Sequence, residues 1–130
     1  MMRERGSNLL EMAVVFPVLV ILLAGMIDLG RGFHDYIMIT GALREGARFG
    51  ASFPSQYTLI EDRIVQRASE SGITLLRGNI TIDRIYGTGN DEAIRTTAMY
   101  QMSTILGGVL GFNTLTIRSY AEMPVIDPNR

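Results

Sequence analysis

Ser7-Asn8-Leu9-Leu10-Glu11-Met12-Ala13-Val14-Val15-Phe16-Pro17-Val18-Leu19-Val20-Ile21-Leu22-Leu23-Ala24-Gly25-Met26-Ile27-Asp28-Leu29 is the stretch that decides the fold. A charged leader, residues 1–6, precedes it, and from Leu9 to Leu29 the only charges are Glu11 and Asp28. A helix of that length rises about 30 Å, close to one hydrocarbon core. The spacing therefore predicts a membrane-spanning helix. Arg3 and Arg5 stand before it and Arg31 after it. That order puts the N-terminus in the cytoplasm and the rest of the chain outside, although Glu4 dilutes the signal. Pro17 removes one helix hydrogen bond, which membrane helices tolerate.

A glutamate inside an intended span is costly and needs a reason. A secretory signal peptide would end in a small-x-small pair after the apolar run, and Leu22 to Asp28 offers none at the right spacing. An uncleaved signal anchor accounts for length and orientation but not for Glu11, nor for Gly6 at the leader's end. A prepilin-type junction accounts for both. Cleavage between Gly6 and Ser7 creates an α-amine with an ordinary pKa near 8, and Glu11 becomes the fifth residue of the product. Residues four apart share a helix face. A buried carboxylate is tolerated when an opposite charge and hydrogen bonds meet it, and in a packed filament the amine can come from an adjacent subunit.

The run Gly6 to Pro17 resembles the N-terminus of TadE-like pseudopilins of the tight-adherence (Flp) pilus system. The likeness continues through Ile27-Asp28-Leu29-Gly30-Arg31-Gly32 and through Ala42-Leu43-Arg44-Glu45-Gly46-Ala47-Arg48. Beyond Gly50 it is one of layout only. Met12 departs from the aromatic residue that Flp-type pilins usually carry after the glutamate. The resemblance implies processing by an aspartic prepilin peptidase, anchoring in the inner membrane and a minor role in pilus biogenesis. It implies as partners that peptidase, other pilins and pseudopilins, an inner-membrane assembly platform and the lipid bilayer. Major pilins of the system are much shorter, which favours a pseudopilin over the bulk subunit.

The rest of the chain bounds these readings. Of 130 residues, 47% are apolar and the net charge is −1, which argues against nucleic acid as a partner. All 12 basic residues are Arg, which we read as genome composition bias. There are no cysteines, so thiolate metal sites and disulfides are excluded. A small unstapled domain gains stability from neighbouring subunits, a mild pointer to assembly.

Downstream, no strong breaker interrupts the helix between Asp28 and Gly50. Ala42, Gly46 and Gly50 form a small-residue stripe at successive i, i+4 positions. Such a stripe admits another helix closely, either a partner's or the chain's own second helix. Arg44 and Arg48, with Glu45 offset, read as a solvated or paired surface. After Phe53-Pro54-Ser55, the run Thr58-Leu59-Ile60-Glu61 fits a capping box opening a helix with Ile60, Ile64, Val65 and Ala68 inward and Gly72 as its stop. The period then changes to two. Strands are expected at Ile80, Ile82 and Ile85, from Ala93 to Met102, and from Leu115 to Met123, with turn chemistry at Gly87 to Asp91. Leu106 to Phe112 reads as an apolar Gly-rich connection facing membrane or partner, and Pro124 and Pro128 as an extended tail. The expected fold is α+β: a leader over 1–6, a long helix over 7–52, and a small extracytoplasmic domain over 53–130 with a short helix and about three antiparallel strands.

Chemistry is sparse. His34 is the only histidine, against multi-histidine metal sites and a Ser-His-acid set. Asp28, Arg31 and Asp35, spaced i, i+3, i+7, read as an ion-pair ladder on a solvated face or as a partner contact. Gly87-Thr88-Gly89 lacks the third glycine and following helix of a dinucleotide site, and Asp83, Asp91 and Glu92 lack EF-hand spacing. No cofactor and no enzymatic activity are expected. The alternatives are an uncleaved single-pass scaffold of an envelope complex and, weakest, a small membrane-tethered hydrolase.

Overall fold

In the computed structural model of the chain the described residues are 2–87, 91–111 and 113–126; for residues 2–7 and 109 the backbone alone is described. Helix α1 runs without interruption from Met2 to Ser52. Strong helix formers and the lack of a breaker after Pro17 carry it past any membrane face and into the folded unit. It is followed by α2 (Tyr57–Glu70), β1 (Ile80–Tyr86), β2 (Glu92–Ser103), a four-residue helix α3 (Gly107–Leu110) and β3 (Thr114–Pro124). The strands form one antiparallel sheet in the order β1-β2-β3. The α+β arrangement expected from the periodicities is the one observed.

The sheet lies along the C-terminal half of α1. A strand of 12 residues such as β2 spans about 40 Å, and α1 from Asp28 to Ser52 rises about 37 Å. The two run side by side over their whole lengths. Alternation decides the inward face: Ile94, Thr96, Ala98 and Met102 of β2 and Ile117, Ser119 and Ala121 of β3 are buried. Ile39, Ala42, Leu43 and Ala47 of α1 complete this layer, and Ile60, Ile64 and Ala68 of α2 close the other flank. Each fully buried Ile or Leu contributes about 1.5–3 kcal/mol. Two side-chain hydrogen bonds stitch helix to sheet. Thr96 donates to the Leu43 carbonyl at 3.0 Å, and the Thr40 and Ser119 hydroxyls share a hydrogen bond of 2.7 Å.

Three local expectations are corrected. The capping box at Thr58 does not form: α2 starts at Tyr57 behind Gln56, with no side-chain cap. The turn closed by Gln56 N–H to Phe53 O (3.1 Å) carries the chain straight into the helix, so Thr58 is already helical and past the capping position. Pro124 ends β3 rather than opening a free tail, and Ile126 N–H reaches the Ala51 carbonyl at 3.0 Å. The 106–112 connection contains α3. The Gly72 stop stands as expected, at φ +79°, with Ile73 N–H bonding Ala68 O and Gly72 N–H bonding Ser69 O, a Schellman motif. Thr88 to Asn90 of the expected turn, Phe112 and Pro128 lie outside the described residues.

At the far end of the sheet Arg84 clasps β1 to the α1–α2 turn, donating to Ser55 Oγ at 3.1 Å and pairing with Glu92 at 3.1 Å. Burial works against its charge, but hydrogen bonding with Tyr86 and the attraction of Tyr57 and Glu92 outweigh it and raise its pKa.

Candidate functional site

Residues 8–23 of α1 are all exposed, and the helix first meets the rest of the fold at Gly25, which lies against Leu106. Its most apolar window has no buried residue, and it is long and apolar enough to cross a membrane. Leu10, Phe16 and Leu23 stay 71%, 68% and 61% exposed. A face this apolar and this uncovered needs lipid or another subunit against it. Glu11 is also exposed, on this free half, with no described cation in ion-pair reach. Gly6 and Ser7 continue the helical backbone, and the surroundings of the Ser7 side chain lie outside the described residues.

Ala42, Gly46 and Gly50 face inward, onto α2 and the sheet. A Cβ on Gly46 would stand 2.7 Å from Ile64 Cδ1, and one on Gly50 would stand 2.9 Å from Ile60 Cδ1 and 3.0 Å from Ile94 Cγ2. This close approach occupies the stripe within the chain. Of its two sequence readings, the geometry contains the one with the chain's own second helix. Glu45 and Arg48 pair at 3.5 Å on the outer side, as a surface pair worth little.

Asp28 corrects the expectation of a solvated ion-pair face. It is 8% exposed. Its two carboxylate oxygens accept the backbone N–H groups of Ile105 (2.9 Å) and Leu106 (2.8 Å), while Arg31 stands 4.0 Å off at the limit of ion pairing. The Thr104 hydroxyl oxygen accepts Gly107 N–H at 3.1 Å. The carboxylate thus serves the opening of α3, where orphan amides favour an anion. Behind it lies an apolar groove of about 560 Å³ between α1 and the β2–β3 tip, walled by Gly25, Phe33, Leu106 and Leu115 among others. Nothing local in the sequence announces this clasp. It joins residues 77 and 78 positions apart, and the one available clue was a carboxylate beside an otherwise apolar run.

For chemistry elsewhere, His34 is exposed. Among the described residues no group of three or more His, Cys, Asp or Glu is placed to hold a metal ion. The outer sheet face carries a cross-strand pair, Arg95 to Glu122 at 2.5 Å, with Tyr120 beneath the guanidinium.

Residues 6–48 match the family model described as TadE-like protein. The chain carries a TadE-like segment. It opens at Gly6 and takes in Glu11, the free half of α1, Asp28, Ala42 and Gly46; α2 and the whole sheet lie beyond it. No curated protein and no solved structure matches the chain. The TadE-like segment is therefore both the uncovered apolar helix and the backbone on which the sheet is laid.

Proposed function

We propose that the chain is a pilin-like minor subunit of a tight-adherence (Flp) pilus system. The observation that carries this reading is the coincidence of the TadE-like match with an apolar half-helix that the fold leaves uncovered around a single carboxylate. The precursor sits in the inner membrane with Arg3 and Arg5 on the cytoplasmic side and the sheet outside. A prepilin peptidase cuts between Gly6 and Ser7. The Ser7 amine so formed, or that of an adjacent subunit, meets Glu11 and sets the register in which apolar helices exchange lipid for one another. The TadE-like match over residues 6–48 supports association with other pilins and with an assembly platform in the inner membrane.

The test is the N-terminus and intact mass of the protein recovered from membranes, with and without the cognate prepilin peptidase. Ser7 as first residue only in the presence of the peptidase is the expected result, and Glu11→Gln then leaves export intact while abolishing assembly. If the leader persists in both backgrounds, the chain is an uncleaved single-pass scaffold and the assembly mechanism falls.

A further inference from the structure

We propose that the β2–β3 tip, residues 104–111, is a second membrane contact that lies in the outer edge of the bilayer beside the exit of α1. The proposal rests on the reading of α1 as a membrane anchor. Its first support is depth. A hydrocarbon core of about 30 Å beginning at Asn8 is crossed at Ile27. A Cβ on Gly25 would stand 3.0 Å from Leu106 Cδ1, so the tip reaches back along α1 to a level short of that crossing.

The second support is charge. Residues 99–117, both strand ends and the connection between them, contain no Asp, Glu, Lys or Arg. The opposite end of the same sheet carries Asp83, Arg84, Glu92, Arg95 and Glu122. The sheet is thus polarised along α1, with its uncharged end on the membrane side, where the nearest charges are Asp28 and Arg31 of the helix and Arg118 of β3. Ile105, Leu110 and Leu115 are 50%, 54% and 51% exposed there, continuous with exposed Met26, Leu29 and Phe33 of α1.

The third support is the backbone. Irregular chain enters an apolar layer only when its amides are satisfied internally. The N–H groups of Ile105 and Leu106 bond Asp28, that of Gly107 bonds Thr104 Oγ, and those of Leu110 and Gly111 bond the carbonyls of Leu106 and Gly107. Asp28 lets the tip shed water without leaving these donors bare.

The chain has no cysteine, so single-cysteine variants of the full-length protein report position directly. Leu110→Cys, Leu19→Cys within the span and Tyr86→Cys at the charged end are labelled with a polarity-sensitive fluorophore. The protein is then reconstituted in vesicles of phosphatidylethanolamine and phosphatidylglycerol. Lipids spin-labelled high on the acyl chain should quench Leu110→Cys several-fold more than Tyr86→Cys, and aqueous iodide should show the reverse order. Quenching of Leu19→Cys by deep spin labels with Leu110→Cys open to iodide overturns the proposal and leaves the anchor standing. If Leu19→Cys is also unquenched by lipid, the anchor fails and the proposal with it. If labelled Leu110→Cys is shielded from both quenchers and the unlabelled variant forms disulfide-linked dimers on mild oxidation, a second copy covers the tip and the lipid assignment is wrong.

Discussion

Asp28 shows how one side chain joins two distant parts of the fold. A buried amide deprived of its acceptor costs about 1–3 kcal/mol, and Asp28 serves two. Asp28→Ala should therefore destabilise the domain by at least about that amount, and Asp28→Asn, which keeps one acceptor oxygen, by less. Hydrogen exchange provides the check: the Ile105 and Leu106 amides should lose protection in Asp28→Ala while those of β2 that face β1 keep theirs. Uniform loss across the sheet would instead mean that Asp28 supports the whole core. Thr96 is a smaller instance of the same rule, since its hydroxyl is buried and bonded to the Leu43 and Ala121 carbonyls.

Within α1, glycines of one helix have opposite expected effects on substitution. Gly41 has open space around it, and Gly46 is roofed by Ile64. Replacing Gly by Ala in an open helix position stabilises by about 0.5–1 kcal/mol, so Gly41→Ala should raise the thermal midpoint. Gly46→Ala meets packed side-chain atoms, and overpacking costs about 1–3 kcal/mol. Thermal unfolding of both variants, of Ile64→Ala and of Gly46→Ala with Ile64→Ala reads the difference. Ile64→Ala removes the Cγ1 and Cδ1 that the new methyl meets, so the double variant should be less destabilised than the sum of its two single variants. If Gly46→Ala is neutral, α2 does not pack as closely as the geometry states. Periodicity located these elements well: the stop at Gly72, the inward Ile60 and Ile64, and the three strands were all legible as spacing. The start of α2 was not, because the preceding turn, rather than a capping side chain, sets it.

The molecule as a whole divides by what covers α1 rather than by where the helix ends. Its most apolar N-terminal window is bare of other protein, and its C-terminal half is the spine of the core. Removing residues 1–23 should therefore leave a chain with the same cooperative unfolding transition in detergent, followed by circular dichroism. Removing residues 1–43 takes away Ile39, Ala42 and Leu43, all fully buried, and should abolish the transition. A stable fold after the second cut would show that the sheet and α2 stand without α1.

Local pattern was sufficient for the membrane-length helix, the lone Glu11, the Gly6–Ser7 junction as a proposal and the α+β order of elements. Apolar run length and the periods of helix and strand are properties of neighbours along the chain. The Asp28 clasp, the side to which Ala42, Gly46 and Gly50 face, and the placing of an uncharged hairpin tip at the end of the apolar segment came from the tertiary structure. Each depends on which residues far apart in sequence meet when a 12-residue strand is laid along a continuous helix. Spacing alone records neither that alignment nor its direction.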